Sequence, residues 1–224
     1  MKIGLIVAIE TDSIFAYYKD VEALPCPGGF KLYKTEKDNC EIFILRTGMG
    51  EIAAASGTQY LITACGAEII VNFGVVGGLT DKMGVQKVCL IDRVVHYKYD
   101  CSEFLDTEIG QVDGHDSIYL PTDPVLVRKA LEINGELKTA TCCSGDKFVG
   151  TALEKTQIHN DFDGDVCDME SAGIVLTCEA NSVPCLMFKA VSDGLAGGAK
   201  EFFEELFDAS LLCLKITDEV ISSL

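Results

Sequence analysis

The chain has 224 residues, 48 % apolar and 24 % charged, which is globular composition with enough length for one α/β domain and a substantial core. Lys and Arg number 18 against 35 Asp and Glu, a formal charge of −17. A surface of that sign repels phosphate backbones and anionic lipid, so it argues against nucleic acid and membrane as partners and leaves small neutral or cationic ligands open.

The 11 cysteines are odd in number and form no C-x-x-C. Cys65, Cys89, Cys178, Cys185 and Cys213 lie inside apolar runs, and Cys142-Cys143 is the one close pair. This is neither a zinc pattern nor a disulfide framework, and neither metal nor cofactor is expected. Buried free thiols fit a reducing compartment, so a cytoplasmic protein is expected. No apolar run approaches the length of a bilayer span, and Met1–Ile9 lacks the longer basic flank of a signal segment.

Lys2–Ile9 reads as a buried strand ending in Glu10-Thr11-Asp12. Ser13–Lys19 follows as a helix with Thr11 or Asp12 as N-cap. Glu10 is harder to dismiss as a cap, because it follows the strand directly. Phe30–Lys34 and Glu41–Leu45 alternate about Glu36-Lys37-Asp38-Asn39, predicting a hairpin. After Thr47-Gly48-Met49-Gly50, Glu51–Cys65 is a helix rich in small residues, with Gly66 as its C-cap. Glu68–Phe73 predicts a buried strand running into the glycine-rich turn Gly74–Leu79, which matches neither a P-loop nor G-x-G-x-x-G. Val88–Tyr97 is long and apolar, interrupted by Asp92 and Arg93; Tyr99–His115 is an irregular excursion, Pro124–Ile133 a helix, Leu137–Ser144 a strand and Thr151–His159 a helix. Ala199–Leu224 closes the chain as an amphipathic helix.

The centre of the reading is Asp165–Gly194. Asp165–Asp168 is extended, Glu170–Asn181 helical, and Cys185–Val191 a continuous apolar run after Pro184, as in a buried parallel strand. Glu170 then stands where a strand passes into a helix, and Asp193 at the C-terminal end of the next strand. In open α/β sheets that edge binds ligands. The bland alternatives are a helix-start acid for Glu170 and a turn residue for Asp193. Strands alternating with helices, plus an early hairpin, give an α/β fold: a single domain over residues 1–224 with a central mixed β-sheet flanked by helices.

Six motifs, in order and over nearly the full length, resemble the methylthioadenosine/S-adenosylhomocysteine nucleosidases of the nucleoside phosphorylase/nucleosidase superfamily. They are Lys2–Glu10, Gly48–Ala55, Val71–Leu79, Ser144–Val149, Asp168–Ala172 and Ala190–Asp193. The resemblance implies hydrolysis of the bond between a purine and a ribose, in methionine salvage, by a homodimer. The base leaves readily only if it departs protonated, so an acid must face purine N7, and Asp193 matches that position, with Ser192 as hydrogen-bonding partner. Glu170 matches the carboxylate that orients the ribose hydroxyls and stabilises oxocarbenium charge. Asp12 matches the carboxylate that helps activate water, with Glu10 as the alternative. Met169 matches the residue against the sugar, backbone groups of Phe148 and Val149 the pair that reads the adenine edge, and Phe203 the aromatic over the 5′ side. Ile9, Val75 and Asp168 complete the expected binding set.

Four departures bear on this. Asp12 stands where Glu is usual, shortening the reach by about 1.5 Å. Val75 replaces a small hydroxyl residue, Ile9 a common Met, and Lys189 an Arg that it cannot match in bidentate contacts. Two other readings remain. A phosphate-dependent phosphorylase needs several arginines around a dianion, and only Arg46, Arg93 and Arg128 exist. A catalytically silent nucleoside-binding protein would keep the fold, although it could have lost Asp193 and Glu170.

Overall fold

The computed structural model describes residues 1–38 and 40–224. Among the described residues ten strands join one mixed sheet: β1 (Lys2–Val7), β2 (Glu22–Leu24), β3 (Lys31–Lys37), β4 (Cys40–Arg46), β5 (Ile69–Gly78), β6 (Val88–His96), β7 (Tyr119–Pro121), β8 (Thr139–Ser144), β9 (Val166–Asp168) and β10 (Cys185–Asp193). The helices of these residues cover it: α1 (Thr11–Tyr17), α2 (Glu51–Thr63), α3 (Pro124–Ile133), α4 (Ala152–Phe162), α5 (Ser171–Ala180) and α6 (Ala199–Ile221). No helix among the described residues is long and apolar enough to cross a membrane.

Strand β5 organises the rest. It pairs in parallel with β1 through Ile69–Asn72 and with β10 through Ile70–Gly77, then meets β9 antiparallel at Gly77 and Gly78. Since β10 also pairs with β6, β6 with β8 and β8 with β9, five strands close a ring. The order β1-β4-β3-β2 extends from that ring as an open wing. Both faces are buried, which is why β1 and β10 read as unbroken apolar runs. Ile3, Leu5 and Val7 of β1 face a core shared with α1, α3 and α6, whereas Ile6 faces the one beneath α2 and α5. A third cluster packs α4, through Ile158, on Val95, Cys143 and Cys167.

Most predicted elements form within two or three residues of their expected limits. The hairpin is present as β3 and β4, antiparallel, while Asn39 at its tip lies outside the described residues. The main correction concerns Gly74–Gly78, expected as a turn. It is the second half of β5, held straight by β10 alongside it. Its glycines admit close neighbours: a Cβ at Gly78 would lie 2.2 Å from the Met83 carbonyl oxygen. A second correction is Asp12, which does not cap α1. The N-cap position is Glu10, and it makes no side-chain cap bond. The short strands β2 and β7 were not foreseen, because three residues are too few for an alternation to register.

Candidate active site

A cavity opens where β1, β5, β9 and β10 deliver their ends. The Ala8–Glu10 stretch leaves β1, Val75–Gly77 belongs to β5, Cys167–Glu170 joins β9 to α5, and Ser192-Asp193 ends β10. Phe148, Val149 and Phe202 close its apolar side.

Asp193 is placed by the β10 register, which shifts between Val191 and Asp193 so that Asp193 lies opposite Gly77. Such irregularities re-aim side chains near sites. The Asp193 side chain is 1 % exposed, and its two oxygens have different partners. Oδ1 accepts from Ser192 Oγ at 3.0 Å, and Oδ2 accepts from the Lys155 ammonium at 2.6 Å. Burial lifts its pKa above the usual carboxylate value, against the downward pull of Lys155. Asp193 is therefore a strand-end acid held in the interior, and the turn-residue reading fails.

Glu170 occupies the N-cap position of α5, but its side chain makes no capping bond. Its Oε1 accepts from Gly50 N–H at 2.9 Å and its Oε2 from Met169 N–H at 3.2 Å. Gly50 has φ of +103°, a conformation only glycine adopts without strain, and that orientation aims its N–H at Glu170. Burial, and next the charge of Asp168, push the Glu170 pKa up to about 7.

Asp168 lines the cavity, but its oxygens are occupied. Oδ2 accepts from Lys189 at 2.8 Å and from Ser171 Oγ at 2.5 Å, and Oδ1 accepts from Glu170 and Ser171 N–H groups. Burial raises its pKa, but Lys189 and these donors outweigh that and hold it below the ordinary range. Lys189, the departure from Arg, thus makes a single-point buried pair rather than a fork.

Glu10 is 6 % exposed and turns into the cavity, where Oε1 accepts from Val75 N–H at 3.2 Å and Oε2 from Ile9 N–H at 2.8 Å. Gly74 makes room for it, since a Cβ there would lie 2.9 Å from Oε1. The β5 glycines therefore admit the site's own carboxylates to the strand backbone, rather than only a ligand.

Ile9, Val75, Phe148, Val149, Asp168, Met169, Glu170, Ser192 and Asp193 all line the one cavity. Two expected residues do not. Asp12 is exposed on the first turn of α1 and does not line the cavity. Phe203 is 73 % exposed. Its neighbour Phe202 lines the cavity instead, edge-on to Phe148 at 5.5 Å, because successive helix residues point about 100° apart. Sequence reasoning missed Lys155 altogether. The available signal was a lysine on the buried stripe of α4, three residues before Ile158. Among the described residues no cluster of His, Cys, Asp and Glu has the arrangement of a metal site.

Comparison with known proteins adds to this geometry. A family model described as the phosphorylase superfamily matches residues 2–221. The 5′-methylthioadenosine/S-adenosylhomocysteine nucleosidase of Haemophilus ducreyi is 34 % identical over 203 residues, which cover 86 % of this chain and 85 % of that protein. The structure of a futalosine hydrolase of Helicobacter pylori matches with a TM-score of 0.93 at 25 % identity, covering 100 % of this chain and 98 % of that one. So does the 5′-methylthioadenosine/S-adenosylhomocysteine nucleosidase of Helicobacter pylori, complexed with an aminopyrrolopyrimidine carried on a thioether-bearing pyrrolidinol, with a TM-score of 0.93, 25 % identity, and coverage of 100 % and 99 %.

Proposed function

The chain belongs to the phosphorylase superfamily, and we propose that its cavity hydrolyses the N-glycosidic bond of a purine nucleoside, with 5′-methylthioadenosine or S-adenosylhomocysteine as substrate. The observation that carries this reading is the convergence of Asp193, Glu170 and Glu10 on one largely apolar cavity. The purine lies against Phe148 and Phe202, with backbone groups of Phe148 and Val149 at its edge. As the C1′–N9 bond breaks, its electron pair passes to the base, and Asp193 delivers a proton to N7. The ribosyl cation that forms is stabilised by ionised Glu170, which also holds the sugar hydroxyls beside Met169. Water attacks C1′ and gives its proton to Glu10.

Hydrolysis is favoured over phosphorolysis by the charges present. Lys147 is the one cation lining the cavity among the described residues, and Lys189 beneath it is committed to Asp168. A phosphate dianion needs several free donors. The deciding experiment follows methylthioadenosine by chromatography with and without phosphate. Adenine and a free reducing sugar, formed at the same rate in both, are expected. A sugar 1-phosphate formed only with phosphate would overturn the hydrolase reading. Futalosine-type nucleosides belong in the same assay, given the likeness to the futalosine hydrolase.

The water-activating role moves from Asp12 to Glu10 on the strength of burial. Glu10→Gln should lower turnover by about 10²-fold or more, whereas Asp12→Asn should leave it within about twofold. The opposite ranking in steady-state rates would return the role to Asp12.

A homodimer in the cytoplasm completes the proposal. Met49 and Ile52 at the start of α2, and Phe104, Leu105 and Ile109 after β6, are exposed apolar side chains. A His96–Glu51 contact of 2.8 Å ties the end of β6 to the start of α2. Apolar surface of this kind favours a partner. Light scattering at micromolar concentration should give twice the chain mass, and a monomer would refute this. The unbridged cysteines suit a reducing compartment.

A further inference from the structure

Lys155 is the largest charged side chain wholly inside the protein, 0 % exposed on α4. It is spent on one short segment. Its ammonium donates to Asp193 Oδ2 at 2.6 Å and to the carbonyl oxygens of Asp193 at 3.2 Å, Gly194 at 2.7 Å and Gly197 at 3.3 Å. No acceptor outside residues 193–197 is used among the described residues. Burying an ammonium is costly, and a clamp on three carbonyls alone would need no carboxylate.

We propose that Lys155 is a positioning residue for Asp193: it seats Oδ2, leaves Oδ1 with Ser192 facing the reaction, and carries the carboxylate charge left when Asp193 gives up its proton. This rests on the nucleosidase reading for its catalytic consequence. In the step, the electron pair of the breaking C1′–N9 bond goes to the purine, the Asp193 proton goes to N7, and Lys155 keeps its own protons. Without the lysine, an acid this deeply buried would hold its proton too firmly to release it to the base. Other charged or titratable groups act on the same carboxyl. Glu201 of α6 accepts from Gly194 N–H at 2.8 Å and raises the Asp193 pKa, the Cys167 thiol of β9 lies beside Gly77, and Glu10 and Glu170 share the cavity. The Asp168–Lys189 pair, 2.8 Å apart, is internally neutralised. Lys155 is the cation in direct contact with Asp193.

The test compares wild type, Lys155→Met and Lys155→Arg. Asp193 is titrated directly by carbon NMR of aspartate-labelled protein, and kcat for methylthioadenosine is followed against pH. In Lys155→Met the Asp193 titration should rise by about 1–3 pH units, and the alkaline limb of kcat should move up with it. Turnover at neutral pH should fall at least about tenfold. Lys155→Arg should restore most of the limb's position. If Lys155→Met lowers thermal stability but leaves the Asp193 titration and the limb unmoved, the lysine is only a clamp and the inference fails. The titration reads the pair whether or not the wild type turns over, so an inactive wild type counts against the nucleosidase reading alone.

Discussion

In Glu170→Gln, adenine release should fall by about 10²- to 10⁴-fold, while the protein becomes more heat-stable than wild type above pH 7. The loss follows from the charge: glutamine cannot balance a ribosyl cation. The gain follows from linkage. The folded-state pKa of Glu170 is about 7 against an ordinary value of 4.5, because burial and the charge of Asp168 favour the neutral form. Between those values the folded chain holds a proton that the unfolded chain has lost. The stabilisation is therefore fully present below the unfolded value and is lost as pH rises through 7. The loss amounts to about 3 kcal/mol. Glutamine has no such dependence. It does sacrifice one acceptor, the Oε2 that takes Met169 N–H at 3.2 Å, at a cost of about 1 kcal/mol. The variant should then be equal or weaker at pH 5 and stronger at pH 8. Thermal melts across that range decide it: a stability difference that does not change with pH would mean that Glu170 does not titrate there.

What the sequence disclosed and what it hid follow from the same physics. Elements with a strong period or a hard boundary were legible. Pro124–Ile133 matches α3 to the residue, because Asp123 caps it through Val125 and Leu126 N–H groups and proline sits at its start. Glu170 and Asp193 were legible as strand-edge carboxylates because they interrupt buried runs. The ring closure was not. It depends on β5 changing partners from β1 to β9 along one strand, and no local pattern reports a change of partner. Glu10 and Phe202 line the cavity where the motifs point to Asp12 and Phe203, offsets of two residues and one that motif matching cannot resolve and side-chain direction can. Lys155 was hidden for another reason. Its partner lies 38 residues away, and composition gives a lysine no reason to be inside.

That hidden pair shapes the expected behaviour of Asp193→Asn. The variant loses the proton donor, so kcat for methylthioadenosine should drop by about 10²- to 10⁴-fold, with adenine-nucleoside binding still measurable by calorimetry. Asparagine keeps an oxygen for the Lys155 ammonium, now 2.6 Å from Oδ2, but no charge. A lysine with 0 % exposure is then left unbalanced, and breaking such a pair costs about 3–5 kcal/mol. A single variant therefore confounds chemistry with folding. Adding Lys155→Met separates them, because the stranded charge disappears while the missing proton does not return. The double variant should recover most of the lost melting temperature and none of the lost rate. The two changes are in contact, so their stability effects should not add. Recovery of rate together with stability would mean that Asp193→Asn failed only by unfolding the site. The acid facing N7 would then have to be sought elsewhere in the cavity, with Glu170, already half-protonated near pH 7, the next to test.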